Sequence, residues 1–213
     1  IYNFTKKARV DLREHLPERG EPRRQRVAQR RSRFQEGAPP KRSIDERPAE
    51  VEEKNSPGHY EADTVHSRRG GSGGVLTIRE RATRTRWYFL LPNLEANTVL
   101  PILMLFFQRL PTHLRKSLTL DNGSEWSEAY HKLEKILPGF QVYFCHPYKS
   151  YERGAVEHAN RELRRFFPKG TDFATVTEEQ LRHAERLINN WPMKCLGWKR
   201  SGPIFEELLK KAA

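Results

Sequence analysis

The sequence has little cysteine, little methionine and no long apolar run. Its 213 residues hold two cysteines, Cys145 and Cys195, distant from one another and in no CxxC pair. That excludes a disulfide framework and argues against a zinc module, and it fits a reducing cytoplasm. The longest apolar run, VLPILMLFF at 99–107, is too short to span a bilayer and is interrupted by Pro101. No secretory signal opens the chain, which starts on Ile1 and not Met, so a natural start further upstream is expected. Acidic residues are also in the minority. There are 39 Lys and Arg against 27 Asp and Glu, a net charge of +12 and a pI near 9.9. Such a balance points to an anionic partner, and nucleic acid fits it better than a membrane surface.

What is present divides at about residue 54. Residues 1–54 read as a basic arm or linker. Between Arg19 and Arg33 stand seven arginines and one acid, Glu21, with Gly and Pro as punctuation and few apolar side chains to bury. Arg23, Arg24, Arg26, Arg30, Arg31 and Arg33 are candidate phosphate contacts along a DNA backbone. Residues 41–54 switch to mixed charge, and Pro48 with its run of glutamates suggests an extended lead-in. Residues 55–213 are expected to form one mixed α/β domain with a C-terminal helical extension.

Within that domain HYEADTV, VLTIRERATRT and RWYFLLPN read as three consecutive antiparallel strands. Alternation sets His59, Glu61 and Asp63 on one face. A largely buried helix is expected over 97–110. SLTL is a fourth strand that stops at Asp121, where Asn122-Gly123 supplies turn chemistry. A helix from Ser124 to about Leu137 and a fifth strand, FQVYF, follow. The next helix, about Arg153 to Phe167, carries Glu157 near its start. Thr177 is the expected N-cap of a last long helix, with Leu181, Ala184, Leu187 and Ile188 inward. The segment after Pro192 reads as irregular up to a short terminal helix.

Three carboxylates, Asp63, Asp121 and Glu157, thus stand in separate elements, and 157 − 121 leaves 35 residues between the last two. Carboxylates brought together repel unless cations lie between them. Hard divalent ions such as Mg²⁺ take a few carboxylates plus substrate phosphates. Two such ions can clamp the attacking and leaving oxygens of a phosphodiester. Spacing on the Glu157 helix groups Asn160, Arg161 and Arg164 with Glu157, and Lys149 and Arg153 precede it. All five are candidate DNA contacts. Glu61 shares the face of Asp63 and reads equally as a support for it or as a solvated acid.

These motifs carry a resemblance. RPAEVEEKNSPGHYEADTV, LTLDNGSEW, FCHPYKSYERGAVEHAN, FFPKGTDF and KCLGWK resemble transposases of the bacterial IS-thirty insertion-sequence family. Asp63, Asp121 and Glu157 match the DDE triad of the retroviral integrase superfamily. The chain departs from the family pattern at Tyr60, Ala62, Ala155, Val156, Arg161, Trp191 and Met193, none of them a triad position. The resemblance implies a ribonuclease H-like fold, a mixed five-stranded sheet flanked by helices. It implies cleavage of double-stranded DNA at element ends, then joining of 3′-ends to target DNA, with the triad holding two Mg²⁺ or Mn²⁺ ions. A homodimer or higher homo-oligomer is expected because both ends must meet, and a nucleoid-associated place in the bacterial cytoplasm. The family places a helix-turn-helix reader upstream of this region. The alternatives are a ribonuclease H-like hydrolytic nuclease and a non-catalytic or co-opted DNA-binding relative.

Overall fold

Three neighbouring apolar segments pair because their connections are short. In the computed structural model, which describes residues 40–127, 129–147 and 149–211, they are β1 His59–His66, β2 Gly74–Glu80 and β3 Arg86–Leu91. β1 pairs antiparallel with β2, and β2 with β3. The turns between them use left-handed backbone, at Gly70 and Gly73 and then at Arg84. β4 Ser117–Leu120 and β5 Gln141–Phe144 add on the other side, both in parallel register. The sheet order is β3-β2-β1-β4-β5, so β1 lies at the centre.

Side-chain parity divides the two faces of the sheet. Tyr60 and Ala62 of β1, Leu76 and Ile78 of β2, and Leu118 and Leu120 of β4 point to one side. There they pack with α2 Ala96–Gln108 and with Tyr130, Leu133 and Trp126 in and before α3 Ala129–Ile136. Val65 and Val75 point to the other side, against α4 Gly154–Leu163 and α5 Glu178–Asn189 through Leu163, Leu181, Ala184 and Ile188. Each buried Val, Leu or Ile among them contributes about 1.5–3 kcal/mol by leaving water. Asp63 and Asp121 have the parity of the second side, so the fold aims both at α4.

Several expectations change in the folded chain. Residues 49–53 are not extended but form a short helix, α1 Ala49–Glu53, with Glu50 and Glu52 in its first turn where the helix dipole favours acids. The helix expected over 97–110 spans 96–108, with Glu95 at its N-cap position and no side-chain cap bond. It presents a stripe, burying Leu100, Leu103 and Phe107 while Leu105 is exposed. Leu187 likewise faces out of α5, whereas Leu181, Ala184 and Ile188 are buried. The segment after Ser124 is a 3₁₀ turn before α3 begins. The Glu157 helix is α-helical only over 154–163. Thr177 caps α5 in a capping box with Gln180. After Pro192 the chain is ordered, not irregular: β6 Pro192–Met193 and β7 Lys199–Arg200 form a hairpin that leads into α6 Ser201–Lys210. No helix among the described residues is long and apolar enough to cross a membrane.

Candidate active site

The parallel register of β1 and β4 creates the centre of the site. His59 lies opposite Ser117 and Glu61 opposite Thr119, a constant offset of 58 residues (117 − 59, 119 − 61). Continued by two residues, it sets Asp63 beside Asp121, just past the end of β4. Neighbouring strands lie about 4.8 Å apart, so the two carboxylates are close together on the α4 side of the sheet.

Asp121 is held by its own turn. Its Oδ1 accepts hydrogen bonds from the Gly123 N–H at 2.9 Å and from the Trp126 Nε1–H at 2.7 Å. Trp126 is fully buried, so it fixes the carboxylate from the core. Asp63 accepts from Asn160 Nδ2 at 2.8 Å through Oδ2. Burial pushes the Asp63 carboxyl above its ordinary range; nearby Arg153 opposes that rise and Asp121 adds to it.

Glu61 anchors the start of α4. Its carboxylate accepts the Val156 N–H at 2.9 Å and pairs with the buried Arg81. It thus serves as an N-terminal cap from another element for the exposed amides of the first turn. Arg79 reinforces this by donating to the Ala155 carbonyl. α4 therefore lies along β1, with residue 156 on Glu61 and residue 160 on Asp63. Glu157 falls between these two fastenings and shares a helical face with Asn160 by its i+3 spacing. It is half-buried.

Arg153, read from the sequence as a candidate DNA contact, has a bridging place that spacing did not show. It is the N-cap residue of α4, and its guanidinium bridges the paired carboxylates. Nη1 lies 2.9 Å from Asp63 Oδ1, a close ion pair without an aligned hydrogen bond, and Nη2 lies 3.0 Å from Asp121 Oδ2. Its side chain is 11% exposed. Burial works against its charge, but Asp63 and Asp121 prevail and hold its pKa above the ordinary arginine value. A cation thus already sits between Asp63 and Asp121. Among the described residues, no three His, Cys, Asp or Glu side chains close into a set that could hold a metal ion.

The other sequence candidates have separate places. Lys149 is exposed and approaches Glu152 at 3.8 Å. Arg161 is exposed on α4. Arg164 is tied to the chain: it donates to the carbonyls of His66, Phe167 and Pro168 and lies over the Phe173 ring. The candidates Arg23, Arg24, Arg26, Arg30, Arg31 and Arg33 lie outside the described residues. A cavity of about 370 Å³ adjoins the start of α4, lined by Arg47, Glu52, Glu61, Arg81 and Gly154, among others. Neither Asp63, Asp121 nor Glu157 lines it, and charged side chains of opposite sign pair across it.

Comparison with known proteins finds insertion-sequence transposases by sequence and an integrase catalytic core by fold. The transposase for insertion sequence element IS4351 of Bacteroides fragilis is 36% identical over 168 residues, covering 79% of this chain and 50% of the relative. The transposase InsI for insertion sequence element IS30C of Escherichia coli is 34% identical over 163 residues, 76% of this chain and 42% of the relative. A putative integrase of Spiroplasma virus SpV1-R8A2 B is 36% identical over 90 residues, 42% of this chain and 27% of the relative. The chain spans about half the length, or less, of the curated relatives it matches. Its fold matches the catalytic core domain of BIV integrase with a TM-score of 0.54 at 20% identity, over 71% of this chain and 95% of that one. No protein-family model matches the chain.

Proposed function

We infer that this chain, related over about four fifths of its length to insertion-sequence transposases and folded as a ribonuclease H-like integrase core, is the catalytic part of a DNA transposase. Its reaction is cleavage of the phosphodiester at element ends, then attack of the freed 3′-hydroxyl on target DNA. The observation that carries this reading is the placement of Asp63, within β1, beside Asp121, just past the end of the adjacent parallel strand β4, with Glu157 between Val156, held by Glu61, and Asn160, held on Asp63, on the helix that faces them.

Asp63 and Asp121 offer the oxygen donors that a hard divalent cation takes, and Glu157 would have to close on them to complete the set. The two aspartates share one cationic partner already, and burial disfavours charge on Asp63 in its absence. Asp63, Asp121 and Glu157 would hold Mg²⁺ or Mn²⁺, two ions in the full site. Bound there, the ions would supply activation of the attacking oxygen and stabilisation of the leaving one. The chain's own residues do the positioning. Trp126 and Gly123 orient Asp121, Asn160 orients Asp63, and Glu61 keeps the first turn of α4 on the sheet. Arg153 holds the two carboxylates together before a cation arrives. Once released from them it stands at the rim of the site, where a guanidinium suits a scissile phosphate. Arg161, Lys149 and the basic arm contribute phosphate contacts that set register without reading sequence. The substrate is double-stranded DNA in the bacterial cytoplasm, and the working form is a homodimer or larger, since two ends must be joined together.

The test is a joining assay. The chain is incubated with labelled element-end DNA bearing a 3′-hydroxyl and with a target plasmid, in Mg²⁺ and in chelator. Joined product in Mg²⁺ alone supports the transposase. Cleaved ends without joined product mean a hydrolytic nuclease. DNA bound but chemically unchanged means a binding protein that has lost the reaction, a result the Arg153 bridge would then explain.

A further inference from the structure

The hairpin after α5 carries side chains that neither the fold nor the triad uses. β6 and β7 pair Pro192 with Arg200 and Met193 with Lys199. The turn between them places Trp198 at φ +65°, a left-handed conformation that a bulky residue rarely adopts. The Trp198 N–H donates to the Met193 carbonyl at 2.9 Å, which locks the residue in that conformation. The side chain gains no burial in return: Trp198 is 68% exposed. Strained backbone that presents an unburied aromatic side chain marks a functional position.

Its surroundings indicate the partner. Lys194, Lys199 and Arg200 are exposed around it, and residues 190–205 contain no acid. Among the described residues Arg200 is offered only the neutral Asn190 side chain, at 3.4 Å. At the base of the hairpin Trp191 stacks on Phe166 and takes the Arg165 guanidinium over its ring. That joins the hairpin to the end of α4 and the segment just past it, where Arg161 and Arg165 are exposed. An exposed aromatic ring ringed by cations is the chemistry of binding to unpaired nucleic acid, with bases stacked on the ring and phosphates on the cations.

We propose that the 192–200 hairpin is a DNA-contact element, in which the Trp198 indole stacks on an unpaired base near a DNA end and Lys194, Lys199 and Arg200 hold the flanking phosphates. The proposal rests on the DNA-acting function inferred above. It is tested by fluorescence anisotropy on the whole chain, with a blunt duplex and with the same duplex carrying a short single-stranded overhang. W198A weakens overhang binding about tenfold, in the range of one lost base stack, and leaves blunt binding within about twofold. W198F stays within about threefold on both. Joint replacement of the three cations by Gln lowers the salt slope on both DNAs by about 2–3, near one unit per phosphate contact. W198G, which removes the backbone strain, does not lower the melting temperature and still weakens overhang binding. Overhang binding by W198A equal to wild type overturns the proposal alone. So does a loss of self-association in W198A without DNA, which would make the hairpin a subunit contact. A wild-type chain that binds neither DNA overturns the functional reading and this proposal with it.

Discussion

Arg153→Gln removes the charge that joins Asp63 to Asp121 while keeping a side chain of similar reach. At an effective dielectric of about 20, two unit charges about 5 Å apart repel by roughly 3 kcal/mol. In the wild-type chain the guanidinium at 2.9 and 3.0 Å offsets that repulsion. Deleting one member of a buried ion pair destabilises by about 3–5 kcal/mol. The Asp121 side chain is 35% exposed against 19% for Asp63, so solvent relieves part of the loss and about 3 kcal/mol is expected. In a domain of this size each kcal/mol moves the melting temperature by about 2–4 °C, a drop of about 6–12 °C in chelator. Adding Mg²⁺ or Mn²⁺ at about 100 times its dissociation constant restores about 2.7 kcal/mol by mass action. The variant therefore gains more from metal than the wild type, whose guanidinium must first yield. The assay is thermal unfolding with and without metal. Equal melting of the two proteins in chelator, or an equal metal response, refutes the reasoning.

Arg164→Ala loses its hydrogen bonds to three carbonyls and lowers the melting temperature by about 2–8 °C, from roughly 1–2 kcal/mol; Arg161→Ala, at an exposed position, changes stability by less than about 0.5 kcal/mol. A calorimetric scan of both variants checks the contrast. Burial, followed by the nearby Lys116 charge, lowers the His59 pKa to about 4. The folded state then binds fewer protons, so this stabilisation is present above the unfolded pKa near 6.5 and is lost as pH falls through about 4. After discounting for screening it amounts to roughly 2 kcal/mol, and His59→Gln flattens the acid limb of the stability curve by that amount. Burial pushes the Cys145 thiol up to about 12, so iodoacetamide at neutral pH labels the exposed Cys195 and spares Cys145 until the chain unfolds; mass spectrometry of native and denatured protein reads this directly.

Much of the sheet was legible because its signals are local. Alternation in HYEADTV, the turn residues Asn122-Gly123 and the Thr177 cap need no tertiary information. Asp63 and Asp121 were legible as carboxylates on separate strands, and their adjacency follows once β1 and β4 are known to be parallel. What remained hidden depends on side chains distant in sequence. Arg153 was legible as a cation before the Glu157 helix, but nothing marks it as a bridge until the strands bring Asp63 and Asp121 to it. Glu61 looked like a solvated acid or a support for Asp63; its bond to the Val156 N–H exists only when α4 crosses β1. Arg164 shares a helical face with Glu157 by spacing, yet its guanidinium turns back to the His66 carbonyl. The 192–200 hairpin escaped because two-residue strands carry no periodicity.

The central claim is that Asp63, Asp121 and Glu157 act as one unit on a phosphodiester. The most direct measurement is the joining of a 3′-hydroxyl DNA end to target by Asp63→Asn, Asp121→Asn and Glu157→Gln, each of which keeps side-chain size and removes one charge. All three should abolish joining while binding DNA at least as tightly as the wild type, and a double variant should lose no more than a single one. Joining at the wild-type rate by any one of the three contradicts the account.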